Sequence, residues 1–417
     1  VTVERRSLGA VPDFLQFARD AGHIGQELLD RIGRYMAFTD PMPFWFDLGI
    51  TATALAAGDD SEPVWGLKIG ASASGKSESL KLVRSLAHQH VDHITEPGLL
   101  SVTPEGRRTG LLTLVPTPGL VLINDFSTML TGDTHSERWM GLLAALRDVY
   151  DGRYNRLLGQ QERPLTWEGH VTLLGNCTSA IDTHAAYSVA LGERWVYLRI
   201  PRKTFDEKRE AAKAARQHGR EGFRSAARVL AAALIAHAVE RGNDQLPEWL
   251  AVELDDATTI TSYGRAAVER DTRSRDITGT TSDEDPMRIN RAIQKLARML
   301  YSGFDLEPQD VLYFGRRVAA DSMPALRRAV LVGLANTPFS LTMPTLARLI
   351  NPAYPKTIAR ALYRAAEELE TLGVVRRVAD DDALNRNTDG KFAATEWGLV
   401  EEFSVPVRRA FSGLRLN

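Results

Sequence analysis

The chain has 417 residues, enough for two to four domains with separate cores. Its apolar fraction of 44% and charged fraction of 25% are those of a globular protein, and a formal charge of -2 excludes a uniformly basic nucleic-acid coat while leaving local basic patches open. Cys177 is the single cysteine, which excludes a disulfide framework and an all-cysteine metal site and fits a reducing, cytoplasmic location.

No signal peptide and no apolar run of about 18 residues is legible, so no membrane contact is expected. The chain opens at Val1, which fits either a piece of a longer protein or an unusual start codon. Residues 1–60 read as helical: Phe14, Leu15, Phe17 and Ala18, then Leu28, Leu29, Ile32 and Met36, recur with a period near 3.6. Pro41 and Pro43 interrupt this pattern, and Ala57–Ser61 is a polar break. From Val64 to Pro201 short apolar runs alternate with amphipathic stretches, as in an α/β layer with a parallel sheet. The runs are Val64–Ile69, Leu120–Ile123, Val171–Leu174 and Trp195–Ile200.

Between the first run and the helix expected at Ser77–Ala87 stands Gly70-Ala71-Ser72-Ala73-Ser74-Gly75-Lys76-Ser77, a full match to G-x-x-x-x-G-K-[ST]. The glycines let the backbone turn so that successive N–H groups face a β-phosphate. Lys76 reaches the β/γ oxygens, and the Ser77 hydroxyl is a Mg²⁺ ligand. The helix that follows aims its positive end at the same anion, and Glu78 in its first turn is counted with the loop. The expected ligands are therefore ATP and Mg²⁺.

An apolar strand ending in a carboxylate should complete the metal site, and Gly119–Asp125 supplies it. Phe126 follows where motors of this kind carry a water-positioning Glu. Either Asp125 is the metal-side residue and the base comes from elsewhere, or Asn124 and Asp125 fill both places in weakened form; the first is preferred, and slow hydrolysis is compatible with both. The run from Val171 leads to Asn176, whose amide can bond a γ-phosphate and its attacking water. Arg194 precedes the last run, where an arginine can reach a neighbouring subunit's phosphate.

This order of elements resembles AAA+ ATPases. Within them it looks most like the MCM-like helicase ATPases of phages and mobile elements, on Asn124–Ser127, Leu146–Gly152, Trp167–His170 and Leu191–Arg194. The resemblance covers roughly residues 30–330. It implies four segments: 1–60 helical, 61–204 the P-loop core, 205–323 a helical lid and 324–417 a further domain. It also implies a pore-facing β-hairpin over 152–169, in which Arg153, Arg156 and Arg163 pair with phosphates and Tyr154 stacks on a base. In the lid, Arg288 matches a second arginine contacting the γ-phosphate.

Residues 324–417 read as helices at Ala325–Ala335, Met343–Ile350 and Pro355–Leu372, then two β-like runs around a polar turn at Asp380–Lys391. Three helices and a hairpin make a winged helix. Its third helix presents Lys356, Arg360 and Arg364, spaced for major-groove contact, although acidic Asp380–Asp382 and the use of such domains in protein contacts leave a protein partner open. The expected function is an ATP-driven DNA motor, a replicative helicase assembled as a hexameric ring around single-stranded DNA. Two alternatives stand beside it: an ATP-controlled DNA-binding switch or loader with slow hydrolysis, and a protein-remodelling or defence ATPase.

Overall fold

The computed structural model describes residues 21–38, 40–58, 62–72, 74–130, 137–158, 164–183, 194–216, 220–242, 244–271, 273–274, 276–280, 285–351, 355–378 and 395–416. Contacts divide the chain into two compact units. The first comprises 1–183, 194–247 and 294–314; the second comprises 184–193, 248–293 and 315–417.

The first unit is α/β. Its sheet contains β1 (Trp65–Ile69), β2 (Gln89–Val91), β3 (Gly119–Ile123), β4 (Val171–Cys177) and β5 (Trp195–Arg199), in the order β2-β3-β4-β1-β5. All neighbouring pairs are parallel. β1, β3 and β4 are buried at every residue, as strands covered on both faces must be, which is why they read as unbroken apolar runs.

Helices α1 (Ala21–Gly33), α2 (Met42–Ala56), α3 (Lys76–Val83), α4 (Glu137–Tyr150) and α5 (Arg220–Arg241) belong to the same unit. α2 is almost wholly buried and packs on α3, β1, β3 and β4, so it is part of the core of the sheet. Pro43 sits in its first turn, where a missing N–H costs nothing, so the two prolines start this helix instead of breaking the chain. α5 packs on α1, α2 and α3. The contact division therefore joins residues from either side of the expected boundaries at 60 and 204, because α2 and α5 both pack against α3. By length and composition Glu221–Arg241 is also apolar enough to cross a membrane, and it carries Arg224 and Arg228 in ion pairs.

In the second unit the helices Ala325–Ala335, Met343–Ile350 and Pro355–Thr371 precede an antiparallel sheet. Its order is Leu341–Thr342, Glu396–Leu399, Val375–Val378, and a helix at Glu401–Phe411 follows it. The expected turn Asp380–Lys391 lies outside the described residues. Asp321 is fully buried between Arg317 and Arg328, whose guanidinium groups lie 3.6 and 2.6 Å from its two carboxylate oxygens.

Candidate functional site

The chain leaves β1 at the carboxyl edge of the sheet, between its neighbours β4 and β5. Connections run to opposite sides of β1, and such a switch point opens a crevice at the strand ends. Of the expected phosphate-loop residues, Gly70, Ala71, Ser72, Ser74, Gly75, Lys76 and Ser77 lie there, while Ala73 lies outside the described residues. Gly70 N donates to Cys177 O at 3.1 Å, which fastens the loop to β4. Gly75 takes φ +103°, a left-handed conformation natural to glycine, and a Cβ there would stand 2.5 Å from Met36 Cε.

Lys76 opens α3 and is 8% exposed. Its ammonium donates to Gly70 O at 2.5 Å and Ala71 O at 2.8 Å, lying across its own loop. Burial pulls this amine below the usual lysine range, and Asp125 opposes that pull. Beneath it, Lys68 of β1 is fully buried, donating to Lys76 O at 2.9 Å, to Ser79 Oγ at 2.5 Å and to the Asp47 carboxylate of α2. The first turn of α3 is thereby fixed from below by a buried ion pair.

Ser77 is exposed at the loop's end. Glu78 already has two cationic partners, Lys81 at 2.8 Å and Arg224 of α5 at 3.1 Å. Against the upward push of burial, these cations hold its carboxyl below the usual range. Its contacts thus join α3 to α5.

At the ends of β3 and β4, Asp125 is exposed and its Oδ1 accepts from Ser127 N at 2.9 Å. Phe126 is fully buried with its ring 5.4 Å from that of Trp195, so this position faces the core. Asn124 donates its amide to Asp92 Oδ1 at 2.6 Å, and Asn176 donates to Asn124 O at 3.3 Å. Asn176 is 2% exposed, and its Oδ1 has no partner among the described residues. A buried amide oxygen in that state has room for a donor such as water or a ligand.

Beside the loop, Met36 also lines a cavity of about 590 Å³ with Leu29, Ala37, Phe38, Asp30 and Arg34. Nothing in the sequence pattern marked this cavity, whose lining lies within residues 26–41, or Asp92, which meets Asn124 only in the fold.

Arg194, at the start of β5, donates to Asp151 Oδ2 at 2.6 Å and lies over the Tyr150 ring at 5.6 Å, with 11% of its side chain exposed. In the hairpin Arg153–Arg156 and Leu165–Glu168, Arg153 is exposed and 3.7 Å from Glu168. Arg156 is turned back onto Leu100 O at 2.7 Å and Ser101 Oγ at 3.1 Å. Tyr154 is 4% exposed with its hydroxyl 3.4 Å from Glu96, and burial pushes its phenol up to about 12. A ring packed into the fold is not displayed for base stacking, and among the described hairpin residues Arg153 is the exposed cation. Arg163 lies outside the described residues.

Arg288 belongs to the second unit, in the helix Met287–Arg298. Lys356, Arg360 and Arg364 are all exposed along Pro355–Thr371. The carbonyl of Arg364 accepts from Arg270, whose guanidinium also pairs with Glu367 and Glu368. The helix therefore presents cations toward its beginning and neutralised acids toward its end. Neither the family models nor the curated proteins contain a match to this chain.

Proposed function

We propose that the chain is a P-loop ATPase of the AAA+ type that binds ATP with Mg²⁺ and works on DNA as a ring-forming helicase motor. The observation that carries this reading is the phosphate loop at the carboxyl edge of a parallel sheet, with Lys76 across its mouth and Asp125 and Asn176 at the ends of strands in the same sheet. The two side chains assigned to Mg²⁺, the Ser77 hydroxyl and the Asp125 carboxylate, are oxygen donors of the kind this hard ion takes alongside phosphate oxygens and water. Bound there, Mg²⁺ would neutralise charge on the β- and γ-phosphates. Lys76 leaves its loop carbonyls for phosphate oxygens, and the Gly70–Ser77 backbone N–H groups orient the chain of phosphates. Asn176 Oδ1 and Nδ2 are suited to hold water and a terminal phosphate oxygen. The cavity beside Gly75 has the volume and mixed apolar and polar lining for the nucleotide base.

On this reading the lid lies within residues 205–323, and Arg288 is its arginine. Residues 324–417 form a winged helix whose Lys356, Arg360 and Arg364 meet DNA phosphates. Arg194 exchanges Asp151 for a neighbouring subunit's nucleotide when a hexamer forms. Burial of Phe126 supports a second reading, a slow ATP-controlled switch on DNA, since the residue after Asp125 offers no group to water. The proposal is tested by titrating a fluorescent ATP analogue with Mg²⁺ into the chain and into Lys76→Ala. Loss of one charge-assisted phosphate contact, about 3 kcal/mol, weakens binding about a hundredfold. Equal affinity in the two proteins would remove the phosphate loop from the account.

A further inference from the structure

Position 126 faces the core, so a carboxylate for the attacking water has to come from elsewhere on the sheet edge. One is there. Val91, the last residue of β2, pairs with Ile123 of β3, so Asp92 leaves the sheet directly beside Asn124. Neighbouring strands lie about 4.8 Å apart, which sets Asp92 one strand spacing from the Asn124–Asp125 pair. Its position is held three ways. Asn124 Nδ2 donates to Asp92 Oδ1 at 2.6 Å, Asn124 N donates to Val91 O at 3.0 Å, and Thr128 Oγ1 donates to Asp92 O at 3.3 Å.

Asp92 and Asn124 are both exposed. The adjoining Asn176, 2% exposed and bonded to Asn124 O, keeps its Oδ1 without a partner among the described residues. Asn124 stands between the two, giving its amide to Asp92 and taking the Asn176 amide on its carbonyl, so an orphaned buried acceptor and an ordered carboxylate flank one strand end, where a water can be held by one group and polarised by the other. Asp125 likewise has one oxygen engaged, by Ser127 N, but it acts electrostatically on Lys76, which suits the metal side of the site.

We propose that Asp92 is the carboxylate that orients and deprotonates the attacking water, with Asn124 as the residue that positions it. This rests on the reading of Gly70–Ser77 as an ATP site. Water gives a proton to the Asp92 carboxylate while its oxygen bonds the γ-phosphorus. The bond from that phosphorus to the β,γ-bridging oxygen breaks, its electron pair leaves on ADP, and inorganic phosphate is released. The exposed Asp92 then returns the proton to solvent.

The test uses the full chain with Mg²⁺ and ATP, comparing wild type, Asp92→Asn and Asp92→Glu. Three quantities are read: affinity for a fluorescent ATP analogue, the rate of a single turnover, and the identity of the nucleotide retained after rapid desalting. Asp92→Asn is expected to bind within about twofold of wild type, to turn over about a hundredfold or more slowly, and to retain ATP where wild type retains ADP. Asp92→Glu, which keeps the carboxylate, should recover part of the rate. Turnover by Asp92→Asn within about threefold of wild type overturns the inference, as does loss of ATP affinity in that variant. A wild-type chain that binds ATP and never hydrolyses it overturns the role of Asp92 and leaves the nucleotide site standing. A chain that binds no ATP removes the site and this inference together.

Discussion

Replacing Lys68 with methionine keeps the length of the side chain and removes its charge from a place that water does not reach. The side chains of Lys68 and Asp47 are 0% and 1% exposed. Burial pushes the Asp47 carboxyl up and the Lys68 amine down, and each is drawn back toward its charged form by the other. With Lys68 gone, the Asp47 carboxyl stays buried without its cation, while Lys76 O and Ser79 Oγ each lose a donor. Breaking one side of such a pair costs about 3–5 kcal/mol, a large share of the roughly 5–15 kcal/mol that holds a domain together. Removing both charges, in Lys68→Met with Asp47→Leu, should recover most of that loss, because a packed apolar pair escapes the desolvation cost. Urea unfolding followed by tryptophan fluorescence, arranged as a double-mutant cycle, measures both quantities. A single variant within about 1 kcal/mol of wild type, or a double variant as unstable as the single, would refute the claim that this pair fixes α3 beneath the phosphate loop.

Other outcomes follow from the same side chains. Arg153→Ala should weaken single-stranded DNA binding and lower the slope of log affinity against log salt by about 0.7, the value of one phosphate contact. Arg156→Ala should leave that slope alone and cost about 1–3 kcal/mol of stability, since its guanidinium bonds Leu100 O and Ser101 Oγ. A larger change of slope for Arg156 than for Arg153 would reverse the assignment. Burial pushes the Cys177 thiol up to about 11. Iodoacetamide at about pH 8 should therefore modify the folded chain far more slowly than the urea-denatured one. The sign of the linkage is set as well. A thiol whose folded pKa is raised contributes stability that is complete below its unfolded value and is lost as pH climbs toward 11, so Cys177→Ala should flatten the alkaline fall in stability.

The parallel strands were legible because strands buried on both faces leave continuous apolar runs, and β1, β3, β4 and β5 fall on the four runs seen in the sequence. The turn between β1 and α3 was legible because it is local, set by the consecutive residues Gly70–Ser77. What escaped was non-local. β2 is three residues, Gln89-His90-Val91, half-buried at the sheet edge, so no alternation or apolar run marks it or the Asp92 that ends it. α2 falls within the stretch read as helical, but its place in the core of the sheet was not legible, because a helix buried nearly all round shows no amphipathic period to say which face packs. Lys68 looked like an ordinary polar residue within a strand, because its partner Asp47 lies 21 positions earlier in a different element. Tyr154 reads as a displayed aromatic in a basic stretch until Glu96, 58 positions away, closes over its hydroxyl. The packing of α5 on α1, α2 and α3 was not legible either, since its partners lie far away along the chain.

The most direct test of the central claim is the rate of ATP hydrolysis with Mg²⁺, in the presence and absence of single-stranded DNA, with Lys76→Ala beside the wild type. The account predicts turnover that DNA stimulates and that disappears in Lys76→Ala. Hydrolysis that persists without the Lys76 ammonium would contradict the phosphate-loop site, and a rate indifferent to DNA would contradict the motor.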